Sequence, residues 1–277
     1  MARGIASSSP GQPLTGVTEG GGSRGGGQRN KDMNPYYTDQ YTTIYHADCR
    51  ELLPQLKPVS LIVSDVAYSC ISGGTPDDPR RPSGILAAND GKVFAHNDIE
   101  PKEYAKLFFN ALIDPAHCYV MTNVLNLETM LREFREAGFG LHNQLPWIKD
   151  NATPNRWYMK DVEYILFFRK GAAFPINDCG EKTSCYFANP RNKLHETEKS
   201  VPLLEKLIRN SSQPGQIVLD PFMGSGSTLQ AAKNLGRFGV GVDIDEEKCE
   251  QAAKRIASGL RIKRTDKQMQ LFTGVTL

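Results

Sequence analysis

Ile217-Val218-Leu219-Asp220 runs directly into Pro221-Phe222-Met223-Gly224-Ser225-Gly226-Ser227-Thr228, and this junction decides the fold. The first four residues read as a strand buried on both faces, while STLQAAKNLG (227–236) has helical spacing and a terminal glycine. A strand that turns through glycines into a helix exposes backbone N–H groups at the helix N-terminus, where an anion or carboxylate docks. Gly224 and Gly226 let the backbone approach a ligand without an intervening Cβ. Asp243, at the end of the next strand, RFGVGVDID (237–245), is spaced to accept hydrogen bonds from ribose hydroxyls. Tight packing alone also produces turns of this kind.

The turn is GSGST, not the G-x-G-x-x-G spacing that seats a pyrophosphate, and no GK[ST] completes a P-loop. A smaller ligand carrying a carboxylate and a ribose, such as S-adenosylmethionine, fits better. Outward from the turn, strands and helices alternate. TTIYHAD (42–48), SLIVSD (60–65), HCYVMTN (117–123), LHNQLPWIK (141–149) and EYILFFRKG (163–171) read as strands. CRELLPQL (49–56), PKEYAKLFFNALI (101–113), LNLETMLREFREAGF (125–139), KSVPLLEKLIRNSS (199–212) and EEKCEQAAKRIASG (246–259) read as helices. Such alternation means an α/β domain whose mostly parallel sheet is covered on both faces.

The 277 residues, 39% hydrophobic and 23% charged, suffice for one substantial core. A net charge of +2 leaves any polyanion-binding surface to be a local patch. Six cysteines occur without a C-x-x-C pair, which argues against a zinc site or a secreted disulfide framework and for reduced thiols. No metal ligand set is expected. No apolar run approaches the roughly 20 residues of a bilayer span, so a soluble intracellular protein without a membrane partner is expected. Residues 1–32, with GGGSRGGG and few large apolar side chains, read as a disordered tail, and 33–277 as the catalytic domain. The stretch 68–98, rich in Gly, Pro, Asp and Arg, is a long connection of the kind that carries function.

DPFMGSGST (220–228) resembles the cofactor motif of the amino-methylating DNA methyltransferases, and the resemblance to that family's beta class extends across 41–256. It implies a Rossmann-like S-adenosylmethionine-dependent methyltransferase fold with a seven-stranded sheet and a circularly permuted motif order, the catalytic motif preceding the cofactor motif. IYHADCRELL (44–53) is similar to the family's opening segment, which sets Asp48 near the cofactor adenine. HETEKSVPLLEKLI (195–208) is similar to the segment that closes over the methionine end, implicating Thr197 and Lys199. The glycine turn implicates Asp220, Phe222, Gly224, Ser225, Gly226, Ser227 and Thr228, and the strand after it Asp243 and Ile244. PNRWYMKDVEYILFFRKG (154–171) resembles phage and prophage members, which implies the cytoplasm of a bacterial or phage-infected cell.

An exocyclic base amine is a poor nucleophile because its lone pair is delocalised into the ring, so catalysis must localise that pair. The family's Asp-Pro-Pro-Tyr motif does this with a side-chain oxygen and the next carbonyl as acceptors, while the aromatic ring stacks on a flipped-out base. The matching residues are Asp65, Val66, Ala67 and Tyr68. Both motif prolines are replaced, as are those usual in the HETEKS segment; the acceptors survive, but the turn loses stiffness, and slower turnover is expected. A strand-end carboxylate that merely caps a turn is the bland alternative for Asp65. A leading Asp favours adenine N6; cytosine N4 is the alternative target, and a catalytically impaired DNA-binding descendant the alternative function.

Arg80 and Arg81 in the long loop, together with Asn155, Arg156, Trp157, Lys160 and Arg191, are candidate DNA contacts that hold phosphates or fill the gap left by a flipped base. A solvated charged face explains them equally. Residues 171–193 and the loop 69–97 are the room for target recognition, so a short or relaxed site is expected. The expected partner is DNA, in a restriction-modification setting, and a homodimer is left open.

Overall fold

The computed structural model describes residues 34–66, 99–153, 158–190 and 198–259. Strand β3 (Val59–Asp65) lies near the middle of the sheet and feeds both of its faces. Val59 and Ile62 join one apolar cluster, Leu61 and Val63 the other, as expected of a continuous apolar strand inside a two-faced sheet. The remaining strands are β1 (Tyr37–Thr38), β2 (Thr42–His46), β4 (Leu112–Thr122), β5 (Gly140–Thr153), β6 (Lys160–Lys170), β7 (Cys185–Tyr186), β8 (Ile217–Asp220) and β9 (Phe238–Asp243). They form a sheet of order β1-β2-β9-β8-β3-β4-β6-β5-β7. The pairs from β2 through β9, β8 and β3 to β4 are parallel, and β6 and β5 return antiparallel.

Seven of these strands have four residues or more, the number the resemblance implies. The other two, β1 and β7, are two-residue edge strands, too short for any periodicity to announce. The first long strand, β2, pairs in parallel with the last, β9, which is the permuted order in three dimensions. The helices are α1 (Cys49–Leu52), α2 (Pro101–Ala111), α3 (Leu127–Glu136), α4 (Val201–Ser211), α5 (Ser227–Asn234) and α6 (Glu246–Ala257).

Helices α2 and α3 cover one face through Tyr104, Phe108, Met130 and Phe134, whose rings and thioether interlock with Phe168 of β6. Helix α4 covers the other with Val201, Leu203, Leu204, Leu207 and Ile208. Their starts are chemically marked. Pro101 and Pro202 occupy the first turns of α2 and α4, where no N–H is needed, and Glu100 and Glu103 close a capping box on α2. Gly138, at φ 111°, ends the α3 region as its position predicts. No helix of the described residues is long and apolar enough to cross a membrane.

Candidate active site

Strands β2, β9, β8 and β3 run parallel and terminate on one edge of the sheet. His46 pairs with Asp243 and Asp220 with Gly241, so the strand ends lie nearly level. At β3 and β8 the connections part: β3 leads through α2 to β4 on one side, and β8 leads through α5 to β9 on the other. A crevice at the carboxyl edge is the consequence of such a switch. Asp65 ends β3 and Asp220 ends β8, so the two carboxylates flank it.

The crevice is open to solvent at its mouth and has a cavity volume of about 110 Å³. Of the residues singled out from sequence, Asp65, Lys199, Asp220 and Phe222 line it. Gly224, Ser225, Ser227 and Thr228 line it as well. Gly226 does not. It stands at φ 78° as the N-cap of α5, and a Cβ there would come within 2.9 Å of Ala252 Cβ, so its glycine serves the packing of α5 on α6. Gly224, at φ 49°, is different: an added Cβ would meet no protein atom within 4 Å. That glycine keeps space open rather than filling it.

Asp243 joins the crevice through the turn. Its Oδ2 accepts from Gly224 N–H at 2.9 Å and its Oδ1 from Asp245 N–H at 3.0 Å. Each oxygen keeps a further lone pair. Burial pushes the Asp243 carboxyl up, and these two N–H groups pull it back. Ile244, 39% exposed, follows it on the surface, its carbonyl 3.1 Å from His46 Nε2. Asp48 caps α1 and pairs with Arg50 Nη2 at 2.6 Å; the Arg50 hydrogen bonds hold its carboxyl below the usual range. It sits beyond β2, outside the crevice lining.

The Asp65 Oδ2 lies 2.7 Å from Lys199 Nζ, and its Oδ1 is buried with no hydrogen-bond partner among the described residues. Burial pushes the Asp65 carboxyl up and the Lys199 ammonium pulls it back. Next door, Ser64 Oγ donates to Asp220 Oδ1 at 2.6 Å; burial lifts the Asp220 carboxyl to about 6 despite that bond. Val66 is buried behind Asp65. Ala67, Tyr68, Arg80, Arg81, Asn155, Arg156, Trp157, Arg191 and Thr197 lie outside the described residues, and Lys160 is exposed at the start of β6.

Sequence reasoning missed Glu198, Glu163, Lys149 and Arg255. Arg255 Nη2 pairs with Glu198 at 2.8 Å, both side chains 7% exposed, while its Nη1 donates to Ser227 Oγ. Glu163 sits between Lys149 and Lys199. A lone acid inside the apolar run EYILFF was the available signal for Glu163. Among the described residues no three His, Cys, Asp or Glu side chains gather as a metal site. The described cysteines Cys49, Cys118, Cys179, Cys185 and Cys249 are free.

Against this geometry the comparisons with known proteins are informative. Residues 176–254, which contain the glycine turn and Asp243, match the DNA methylase family. Over that stretch the chain is similar to the N6/N4 amino DNA methyltransferases. A Type II methyltransferase, M2.DpnII of Streptococcus pneumoniae, is 26% identical over 246 residues, covering 80% of this chain and 92% of its own length. M2.LlaDCHI of Lactococcus lactis subsp. cremoris, also a Type II methyltransferase, is 26% identical over 249 residues, covering 81% and 93%. Among solved structures, the M1.HpyAVI–SAM complex superposes with a TM-score of 0.61 at 24% identity, covering 78% of this chain and 98% of that one. At that identity the likeness speaks for the fold alone.

Proposed function

We propose that the chain transfers a methyl group from S-adenosylmethionine to the exocyclic amino group of a DNA base, adenine N6 foremost. One observation carries the reading: Asp65, with an unsatisfied buried oxygen, shares a single crevice with the glycine turn that leads to Asp243. The relatedness to DNA methylases and Type II methyltransferases supports the substrate class and a modification role in a bacterial or phage-infected cell. The leading Asp of the 65–68 motif supports adenine over cytosine.

The crevice fits the proposed donor. Gly224 leaves room where a Cβ would intrude, Asp243 keeps lone pairs for hydroxyl donors, and the α5 N-terminus offers N–H groups to a carboxylate. When bound, the donor supplies an electrophilic methyl group on a positively charged sulfur. The work of the protein is on the nucleophile. Asp65 Oδ1 and the peptide oxygen of Val66 accept the two amino hydrogens, which draws the lone pair out of the base ring and onto nitrogen. A buried acceptor without a partner costs about 1–3 kcal/mol, so Oδ1 is primed for an incoming N–H. After methylation the surplus amino proton passes to the Asp65 carboxylate and from there to solvent.

Purified protein incubated with labelled donor and unmethylated DNA is expected to label the DNA. Asp65→Ala is expected to lower the rate by about 100-fold or more, the scale of losing one pre-organised electrostatic contact. Equal labelling by both proteins rejects the role of Asp65. Nucleoside analysis is expected to find N6-methyladenine; N4-methylcytosine transfers the assignment to cytosine, and donor and DNA binding without methyl transfer indicates a non-catalytic descendant.

A further inference from the structure

Four charges of alternating sign run from the antiparallel strands into the crevice. Lys149 of β5 pairs with Glu163 of β6, Glu163 Oε2 lies 3.3 Å from Lys199 Nζ, and Lys199 Nζ lies 2.7 Å from Asp65 Oδ2. None of the four side chains is more than 26% exposed. Lys149 is fixed from behind, its ammonium 4.8 Å from the centre of the Trp147 ring, and Trp147 is anchored by its Nε1–H donating to the Phe187 carbonyl at 2.7 Å. The chain of charges therefore starts on a buried aromatic and ends on one oxygen of Asp65, leaving the other without a partner among the described residues.

We propose that Glu163 is a positioning residue: held by Lys149, it keeps the Lys199 ammonium on Asp65 Oδ2, so that Asp65 stays ionised and turns Oδ1 to the amino group of the substrate. This inference rests on the reading of Asp65 as the acceptor. It assigns Lys199 to the carboxylate rather than to the methionine end of the donor. It also supplies what the replaced motif prolines no longer give. A Val-Ala turn lets the carboxylate rotate, and a lysine itself held between Asp65 Oδ2 and Glu163 Oε2 restrains it.

The physical basis is electrostatic. Burial favours the neutral acid, and a neutral Asp65 is a weaker acceptor. The groups that bear on Asp65 are Lys199, Glu163, Lys149 and Asp220; only the two lysines favour its charge. Burial also pushes the Glu163 carboxyl up, but Lys199 and Lys149 outweigh this and hold it below its ordinary range.

The test has an arm that needs no reaction. In the ligand-free protein with 13C-labelled Asp carboxyls, Asp65 is identified by the signal that Asp65→Asn removes. Lys199→Met is expected to raise the Asp65 titration midpoint by about one pH unit or more, and Lys199→Arg to leave it within about 0.5. An unmoved midpoint in Lys199→Met overturns the proposal. In the methyl-transfer assay, Glu163→Gln is expected to lower kcat about tenfold with the donor KM within about threefold, and Lys199→Arg to retain most of kcat. A large rise in donor KM with unchanged kcat in either Glu163→Gln or Lys199→Met overturns it in favour of donor binding. Should Lys199→Met not fold, the Glu163→Gln and Lys199→Arg pair decides between the two. Absence of any methyl transfer by the unmodified protein rejects the proposed function, while the titration still decides the ion pair.

Discussion

Asp220 shows how a single residue couples the fold to the crevice. It is 3% exposed and accepts from Ser64 Oγ at 2.6 Å and from Phe222 N–H at 3.2 Å. Burial lifts its carboxyl from 3.8 to about 6; Ser64, Thr228 and the Phe222 N–H oppose the rise, and the neighbouring Asp65 adds to it. Between those two values the folded protein holds a proton that the unfolded chain has lost, so stability falls as pH rises through that window. At 1.4 kcal/mol per pH unit the loss is about 3 kcal/mol, complete above the folded-state value. Asp220→Asn keeps an acceptor oxygen but cannot ionise. Urea unfolding is expected to show the variant gaining on the wild type by up to about 3 kcal/mol between pH 4 and pH 7. Parallel pH profiles for the two proteins refute this account. At this scale Asp65, Lys199 and Asp243 were legible because a motif surrounds them. Glu163 and Lys149 were not, since their meaning depends on how two distant strands are paired.

At the scale of elements, the contact between α5 and α6 decides whether the glycine turn keeps its shape. Gly226 has φ 78° and less than a methyl group's room against Ala252. Gly226→Ala combines backbone strain with a clash, and a loss of about 1–3 kcal/mol in thermal or denaturant unfolding is expected, along with weaker donor binding. Unchanged stability counts against the tight α5–α6 contact. Arg255, also on α6, ties Ser227 at the start of α5 to Glu198 before α4. Arg255→Met withdraws the cation from a carboxylate that is 7% exposed, so a destabilisation of about 3 kcal/mol is expected from urea titration. A variant as stable as the wild type shows that Glu198 is satisfied without Arg255. The elements themselves were largely readable, because each long helix and strand carries its own period, proline or glycine punctuation. Strand β5 runs four residues beyond the predicted LHNQLPWIK, to Thr153, because after a break in register at Ile148 it pairs with β6 again through Thr153 and Lys160, which no local period announces.

Across the whole molecule, the described part of 171–193 is mostly irregular, with only Cys185–Tyr186 as a strand against β5. A segment this short offers few side chains to base edges, so sequencing-based methylation mapping is expected to return a short or degenerate site. A single long recognition site refutes that expectation. The alternation of strands and helices, the two-faced core and the glycine turn followed by an acid were set by the sequence alone, because hydrophobic period and backbone freedom are local properties. Strand order was not, and neither was the pairing of the first long strand with the last. These arise where apolar faces from distant parts of the chain compete for one core. The same holds for the charge chain from Lys149 to Asp65: burial leaves each ion needing a partner, and only the assembled sheet decides which partner stands within reach.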